Sequence, residues 1–294
     1  MTLESTDLDE QPPSPASGSL VLVSTPIGNL GDVSQRALEA LRSANTVLCE
    51  DTRVTARLLS AYGISVATAP LHEHNEDSRI PGILEAVRAG KRIVLVSDAG
   101  TPVVSDPGFR LVRAAIGAGL AVGAVPGPNA AVMALVLSGL PPQPFMFIGF
   151  PPPRSAARIA AFSQLRAAER AGLDATLLWH EAPHRLAEML ADLHSVFGNR
   201  PAAVARELTK RFEEVRRAPL ADLATYYAQE PARGEITVLV GPPPPESQDA
   251  ENLDAQLLAA LASSSVKDAA ALVAGSTGLP RRVVYARALE LSRG

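Results

Sequence analysis

Three loops built mostly of small and turn-forming residues follow three predicted strands. They are Ser24–Asp32, Ser97–Pro102 and Val125–Ala130. Because loops at the carboxyl ends of parallel strands gather at one edge of a sheet, we expect these three to meet there and bind a ligand. Asp98 could accept hydrogen bonds from a ribose or an ammonium group, and the backbone amides of 126–130 could bind a carboxylate. The alternative is that each loop is an ordinary strand-to-helix turn.

The familiar nucleotide-binding signatures are absent from the sequence. No G-x-G-x-x-G follows a predicted strand, and G-x-x-x-x-G-K-[ST] does not occur. The sequence therefore disfavours a Rossmann dehydrogenase, a Rossmann methyltransferase and a P-loop ATPase. A methionine-derived sulfonium ligand remains compatible with the three loops.

Two charged segments also follow predicted strands and could act on a substrate. Glu50-Asp51-Thr52-Arg53 offers an acid and an arginine beside the ligand, or is only a helix N-cap with surface charges. The segment 206–211, Arg206-Glu207-Leu208-Thr209-Lys210-Arg211, offers phosphate contacts and an acid–base pair, or is only a solvated basic turn. Lys210 has no obvious partner in its turn, so we expect a mobile cation there.

Two histidine-containing segments raise the question of a metal. His180-Glu181-Ala182-Pro183-His184 matches the H-E-x-x-H pattern of zinc hydrolases, which needs both histidines on one face of a helix. Thr176–Trp179 is predicted to be a strand and Pro183 suits a first helical turn, so zinc hydrolysis is the remote alternative. The polar segment 72–76, His72-Glu73-His74-Asn75-Glu76, could bind metal or RNA, or be a solvated surface loop.

Strands and helices alternate along the part of the chain that must position these loops. Strands are predicted at Leu20–Ser24, Thr46–Cys49, Ile93–Ser97, Ala121–Val125, Phe145–Ile148, Thr176–Trp179, Ala202–Ala205 and Ile236–Val240. Helices are predicted at Ser34–Ser43, Thr55–Tyr62, Ser78–Ala89, Gly108–Ala118, Ser155–Ala171, Pro183–Val196 and Leu220–Ala228. In residues 20–140 this alternation predicts a mostly parallel sheet with helices on both faces, and a second α/β domain is predicted at 141–241.

The two ends of the chain differ from this α/β part. Residues 1–19 are rich in Pro, Ser, Asp and Glu and are predicted to form a disordered tail. Pro242–Pro245 predicts a stiff spacer within a linker at 242–251. Residues 252–294 are predicted to form a helix-turn-helix-like module with helices at Leu253–Leu261, Val266–Ala274 and Pro280–Leu291.

The module at 252–294 has two possible roles. Its last helix could hold RNA phosphates through Arg281, Arg282 and Arg287, or the module could be a capping bundle at a dimer interface. Its expected core is Leu257, Leu258, Leu261, Ala270, Leu272, Val273, Val284 and Leu289.

Composition leaves RNA open as a partner without indicating it. The net charge of -4 argues mildly against nucleic acid, but the first ten residues carry four of the acids: Glu4, Asp7, Asp9 and Glu10. Cys49 is the only cysteine, so no internal disulfide forms. No apolar run reaches the roughly 18 residues that span a bilayer, and the acidic start is unlike a signal peptide. We expect a cytoplasmic protein with no membrane partner.

Six segments occur in the same order as in a known family. They are Ser24–Asp32, Glu50–Arg53, Ser97–Pro102, Glu181–Arg185, Arg206–Lys210 and Gly234-Glu235. From about Leu20 onward the chain resembles the ribosomal RNA small subunit methyltransferase I family, a branch of the tetrapyrrole (corrin/porphyrin) methylases. The corrin enzymes usually have Gly-Asp-Pro where this chain has Ser97-Asp98-Ala99, which agrees with the RNA branch.

The resemblance implies two α/β domains with S-adenosylmethionine in the cleft between them, a homodimer and no metal. It implies 2′-O-methylation of a cytidine ribose in the decoding region of 16S rRNA. The implied cofactor residues are Thr25, Pro26, Asp98, Ala99, Gly100, Thr101, Pro126, Gly127, Pro128, Asn129 and Ala130, with Ala182, Arg206 and Glu235 from the second domain. The general base would be Glu207 or Asp51, and the stabilising cation Lys210, Arg53 or Arg185. A corrin or porphyrin C-methylase of the same fold, or a non-catalytic RNA-binding protein, is the alternative.

Overall fold

A computed structural model describes residues 18–277 and 279–292, and gives the backbone alone for 245–252. The described chain divides into two compact units. The first contains the residues up to Ala134 together with Ala205–Glu214, and the second contains Leu135–Val204 and the chain from Val215 onward. The segment Ala205–Glu214, predicted to belong to the second α/β domain, is therefore part of the first unit. The tail predicted at 1–19 lies outside the described residues except for Gly18 and Ser19, and Ser19 already begins a strand.

The sheet of the first unit has five strands in the order β3-β2-β4-β1-β5. Every registered pair is parallel. The strands are β1 (Ser19–Val23), β2 (Thr46–Cys49), β3 (Thr68–Pro70), β4 (Arg92–Leu95) and β5 (Ala121–Val125). Because β1 lies between β4 and β5, the loops that follow these three strands emerge side by side. The three-residue β3 was missed from sequence because it lacks an apolar run.

Helices pack on both faces of this sheet. They are α1 (Gln35–Arg42), α2 (Thr52–Ala61), α3 (Glu76–Arg88), α4 (Phe109–Gly117) and α5 (Ala130–Ser138), the last of which continues into the second unit. Alternate strand residues bury on opposite faces, so that Val21 contributes to one core and Leu20 to the other. Helix α5 was missed because it is apolar on every side and has no helical periodicity.

The sheet of the second unit is mixed, with parallel and antiparallel pairs. Its order is β6-β7-β10-β8-β9, and β7 runs antiparallel to β10. The strands are β6 (Phe145–Gly149), β7 (Thr176–Glu181), β8 (Pro201–Arg206), β9 (Glu214–Pro219) and β10 (Ile236–Val240). Strand β9, which reads Glu-Val-Arg-Arg-Ala-Pro, was missed because half of its residues are charged.

Three helices cover this second sheet. They are α6 (Ser155–Arg170), α7 (Leu186–Phe197) and α8 (Leu220–Gln229), and a short 3-10 helix (Pro183–Arg185) precedes α7. Their core is built around Phe162, Trp179 and Phe197, whose rings contact one another. Glu169 is buried between Arg166 and Arg200, with its carboxylate 2.7 Å from an Arg200 nitrogen.

The C-terminal module contains three helices, as the sequence predicts. They are α9 (Pro245–Leu261), α10 (Val266–Thr277) and α11 (Arg281–Leu291), and their core contains Leu253, Leu257, Ala270, Val273, Val284 and Ala288. Helix α9 begins inside the predicted linker at 242–251, because proline at a first helical position has no N–H bond to lose. Leu258 and Leu272, expected in the core, are 54% and 66% exposed. Among the described residues, no helix is long and apolar enough to cross a membrane.

Candidate active site

The loops after β1 and β4 are joined through their backbones. The amide of Thr25 donates to the Gly100 carbonyl over 2.8 Å, and the amide of Gly100 donates back over 3.1 Å. The Thr25 hydroxyl also donates to the carbonyl of Ser97 at 3.2 Å. Gly100 has a φ of 82°, which side chains rarely tolerate, so glycine permits this two-way bond.

The loop after β5 joins the same edge. The Ser24 amide donates to the Val125 carbonyl over 3.2 Å, and the Thr101 hydroxyl donates to the Pro128 carbonyl over 3.2 Å. Gly127 packs so tightly that a Cβ atom on it would lie 2.8 Å from Cβ of Ser24. The structure thus brings the three small-residue loops together, as the sequence predicts.

Asp98 lies among other acidic side chains at this edge. Its Oδ1 accepts the Asp51 amide over 3.0 Å, which connects the loop after β4 to the loop after β2. Burial, with the negative charge of Asp98, raises the pKa of Glu50. Burial also raises the pKa of Asp106 to about 6, assisted by the charges of Glu50 and Asp98 and opposed by a hydrogen bond with Ser97. Negative charge therefore accumulates here, and a positively charged ligand would relieve it.

The amino end of α5 offers backbone donors to the same edge. The Asn129 side chain accepts the Val132 amide over 3.1 Å and so caps the helix. Early amides of a helix have no partner within it, and they carry partial positive charge. A carboxylate placed beside Asn129 and Ala130 would satisfy them.

Asp51 and Arg53 are bound to each other. Asp51 accepts the Arg53 amide over 2.8 Å as the N-cap of α2, and its Oδ2 lies 2.6 Å from the Arg53 guanidinium. The hydrogen bonds from Arg53 lower the pKa of Asp51 to about 2. A carboxylate held so acidic accepts a proton poorly at neutral pH, so the structure favours the N-cap interpretation of this segment over a general base.

The segment 206–214 folds back onto the loop after β1. The Asn29 amide donates to the Thr209 hydroxyl over 3.1 Å, and the Thr209 amide donates to Glu213 over 2.6 Å. Glu207 and Thr209 have positive φ values of 50° and 65°, which is rare for residues with side chains. Such strained backbone is held in place by its surroundings and concentrates at functional sites.

Lys210 is paired, contrary to the expectation of a mobile cation without a partner. Its Nζ lies 2.8 Å from Oε1 of Glu207, and both side chains are mostly buried. The Lys210 chain lies across Gly28, where a Cβ atom would be 2.4 Å from Cγ of Lys210. In the same segment, Arg206 pairs with Glu214 at 2.5 Å. Glu207 and Lys210 thus form an ion pair that lies beside the loop after β1.

Two of the predicted cofactor residues lie in the second unit. Ile236 pairs with Glu181 in the β7–β10 ladder, so Ala182 and Glu235 follow and precede neighbouring strands at one sheet edge. Arg185 is bound to the buried Glu181, with its guanidinium 2.5 Å from Oε1. This ion pair holds the turn after β7. Arg185, which the sequence offered as a cation to stabilise negative charge, therefore already has a carboxylate partner.

The comparisons with known proteins agree over nearly the whole chain. Residues 19–224 match Tetrapyrrole (Corrin/Porphyrin) Methylases, and 246–292 match the RsmI C-terminal HTH domain. Ribosomal RNA small subunit methyltransferase I of Mesorhizobium japonicum is 44% identical over 96% of this chain and 95% of that protein. The Pseudomonas aeruginosa protein of the same name is 43% identical, over 94% and 98%.

The chain belongs to the ribosomal RNA small subunit methyltransferase I family. It is a methyltransferase of the tetrapyrrole methylase fold with a C-terminal helix-turn-helix domain, as predicted. Solved structures of the fold include the methyltransferase CobJ, with a TM-score of 0.58 and 23% identity over 77% of this chain and 95% of that one. Uroporphyrin-III-C-methyltransferase from Thermus thermophilus has a TM-score of 0.52 and 21% identity, over 76% and 94%. At these identities the likeness concerns the fold alone.

The zinc-hydrolase alternative is excluded by the local geometry. His180 and Glu181 lie on strand β7 and His184 lies in the 3-10 helix, so no continuous helix carries both histidines. His180 Nδ1 is 3.1 Å from the Thr237 hydroxyl, and its ring packs against Phe147. In the described part of the chain, no three His, Cys, Asp or Glu side chains are grouped to hold a metal ion.

Of the three arginines assigned to RNA on α11, Arg287 has a different role. Its guanidinium binds Asp254 of α9 at 2.6 Å and Glu290 at 2.6 Å, which clamps two helices of the module. These bonds raise the pKa of Arg287 and lower that of Asp254. Arg281 and Arg282 are exposed and remain candidates for phosphate contacts.

Sequence reasoning gave no role to Asp106 or to Gly28. Asp106 lies in the same loop as Asp98, but nothing in the sequence pattern shows that its carboxyl is partly buried. Gly28 was counted as a turn residue, and only the fold shows that it makes room for a side chain 182 positions later.

Proposed function

We propose that this methyltransferase uses S-adenosylmethionine to methylate the 2′-hydroxyl of a cytidine in the decoding region of 16S rRNA. The observation that carries this proposal is the Lys210–Glu207 ion pair, held against the three-loop edge of the first sheet. The relatives are named for the same ribosomal subunit, and the C-terminal domain type is shared with them. A C-methylase of corrins or porphyrins has only the fold likeness in its favour.

The three-loop edge fits S-adenosylmethionine. Asp98 still has Oδ2 to offer a ribose or the ammonium group, since the part of the chain described here gives that atom no hydrogen-bond donor. The amino end of α5 suits the carboxylate of the cofactor. Small residues such as Ala99 and Gly100 leave the backbone open to its approach. When bound, the cofactor supplies an electrophilic methyl group.

Glu207 and Lys210 are the best candidates to act on the ribose hydroxyl. We assign Glu207 to accept the hydroxyl proton and Lys210 to stabilise the developing negative charge on O2′. Asp51 and Arg53 are bound to each other at the amino end of α2, and Arg185 is bound to Glu181 in the second unit. We choose the Lys210–Glu207 pair over them because it lies on the strained turn that packs against the loop after β1. The strained backbone at Glu207 would keep the pair in one geometry.

The proposed partners are 16S rRNA within the small subunit, in the cytoplasm, and a second copy of the chain. No metal enters the proposed reaction. The edge strand β6 supports the dimer, since Phe145, Met146 and Ile148 expose apolar side chains there. An open apolar strand edge is unfavourable in water unless another chain covers it.

Transfer of a labelled methyl group tests the proposal. The full chain is incubated with methyl-labelled S-adenosylmethionine and either 30S subunits from a strain lacking this modification, 50S subunits, or uroporphyrinogen III. We expect label in 16S rRNA from the 30S reaction alone. Label in the tetrapyrrole would assign the chain to C-methylation, and label in no acceptor despite cofactor binding would overturn the rRNA assignment.

A further inference from the structure

The exposed side chain of Phe212 stands at the tip of the segment 206–214. It is 65% exposed, two residues after Lys210 and two before the start of β9. Its ring leaves apolar area in water, and no ring of another residue packs on it in the described chain. Because Phe212 follows Lys210 by two residues in the same turn, a ligand that reaches the Lys210–Glu207 pair could also contact its ring.

The loop that carries Phe212 is ordered by its own bonds. Besides the Asn29–Thr209 bond, the Lys210 amide donates to the Glu207 carbonyl over 3.0 Å and the Glu213 amide to the Lys210 carbonyl over 3.1 Å. The ring is therefore presented on a preformed turn, and little conformational entropy is lost when a ligand stacks on it.

The charges around the ring favour binding of a polyanion that carries planar groups. Glu207, Glu213 and Glu214 are each engaged within the loop. Arg211 is exposed and forms no ion pair with any residue the structure describes, and its guanidinium lies 5.5 Å from the centroid of the Phe212 ring. An exposed ring with a guanidinium over one face and no carboxylate bound to that guanidinium is a combination on which unpaired bases of RNA stack while their phosphates are held.

We infer that Phe212, supported by Arg211, is a stacking platform for an unpaired nucleobase of the RNA substrate, the methylated cytosine or its neighbour. The inference rests on the proposed function. It adds the reason why a ribose inside folded rRNA can reach Lys210 and Glu207: a base held on the ring is out of its helical stack, and its sugar is exposed.

Four variants of the full chain test this platform with 30S subunits at saturating S-adenosylmethionine. Phe212→Ala and Phe212→Leu remove the aromatic face, and Phe212→Trp keeps it. Phe109→Leu is the matched control, because Phe109 on α4 is similarly exposed, at 61%, in the same unit. We expect kcat/KM to fall about fivefold to a hundredfold for Ala and Leu, and to hold for Trp and for Phe109→Leu. Cofactor affinity and oligomeric state should match the wild type in all four.

The controls separate this inference from the proposed function. Wild-type methylation of 30S subunits establishes the function whatever the variants do, and its absence overturns both. If the wild type is active and Phe212→Leu keeps full kcat/KM, the assignment of Phe212 as a stacking platform is wrong. A Phe212→Leu variant that dissociates a dimer, or loses S-adenosylmethionine affinity, would also overturn it, since the ring would then serve the partner copy or the cofactor.

Discussion

The Lys210 ammonium lies 2.8 Å from the Glu207 carboxylate, and both belong to a strained turn packed against the loop after β1. If the pair acts on the ribose hydroxyl, Lys210→Ala should lower kcat for 30S methylation by about a hundredfold to a thousandfold. The affinity for S-adenosylmethionine should not change. Steady-state kinetics separate the roles: a rise in KM with kcat unchanged would mean that Lys210 only holds phosphate.

Methylation should be sensitive to substitution of Gly28, as it would be for a catalytic residue, although Gly28 has no side chain. Gly28→Ala places a Cβ atom 2.4 Å from Cγ of Lys210, and that side chain must move. We expect at least a tenfold loss of kcat, because displacement of about 1 Å at a reacting group costs this much or more. Gly82→Ala is the control, since its Cβ atom would meet nothing within 4 Å. Equal activity of the two variants would show that the position of Lys210 does not matter for the methyl transfer.

Asp98 should bind the cofactor through its charge. Asp98→Asn can still accept the Asp51 amide and so keeps the loop in place, whereas Asp98→Ala cannot. Loss of a hydrogen bond to a charged group predicts about tenfold to a hundredfold weaker S-adenosylmethionine binding by calorimetry for both variants. If Asn binds like the wild type and only Ala is weak, Asp98 supports the loop and does not contact a charged group of the cofactor.

The half-buried carboxyl of Asp106 should cost stability at neutral pH. Burial raises its pKa from 3.8 to about 6, so the fold favours the protonated form. The contribution of the protonated carboxyl to the free energy of unfolding is fully present below about pH 4 and is lost as the pH rises through about 6. Asp106→Asn cannot ionise, so its free energy of unfolding should exceed that of the wild type at pH 8 by about 1 kcal/mol, a figure reduced for partial exposure. Urea titrations from about pH 3.5 to 8 should show the two curves converging only below about pH 4.

The exposed pair on α11 should affect RNA affinity, whereas the clamp residue should affect stability. Replacing Arg281 and Arg282 together by Gln should weaken 30S binding and make its salt dependence shallower by roughly one unit of slope per lost phosphate contact. Arg287→Gln breaks the bonds to Asp254 and Glu290 and should lower the melting temperature of the module instead. If the salt dependence of 30S binding is the same for the double variant as for the wild type, the module has a structural role and does not bind RNA through this pair.

The sequence predicted the parts of the fold that depend on local pattern. Thr46–Cys49, Ala121–Val125 and Ile236–Val240 are strands at the predicted bounds, because each is a β-branched apolar run between turn residues. The convergence of the three loops also followed, since parallel topology alone brings the carboxyl ends of β1, β4 and β5 to one edge.

The remainder depended on contacts between residues distant in the chain. Nothing local shows that Thr209 binds Asn29, that Lys210 crosses Gly28, or that Arg287 is taken by Asp254. For the same reason the ionic state of Asp106 could not be predicted: it depends on burial, on the charge of Asp98 in the same loop, and on the charge of Glu50, which the end of β2 brings close.

The position of the transferred methyl group tests the central claim most directly. 16S rRNA from unmodified 30S subunits, methylated by the full chain, is digested to nucleosides and fragments and read by mass spectrometry. We predict one 2′-O-methylcytidine, in a fragment from the decoding region, and its loss with Glu207→Gln. A methyl group on a base, or on a ribose outside that region, would contradict the proposal.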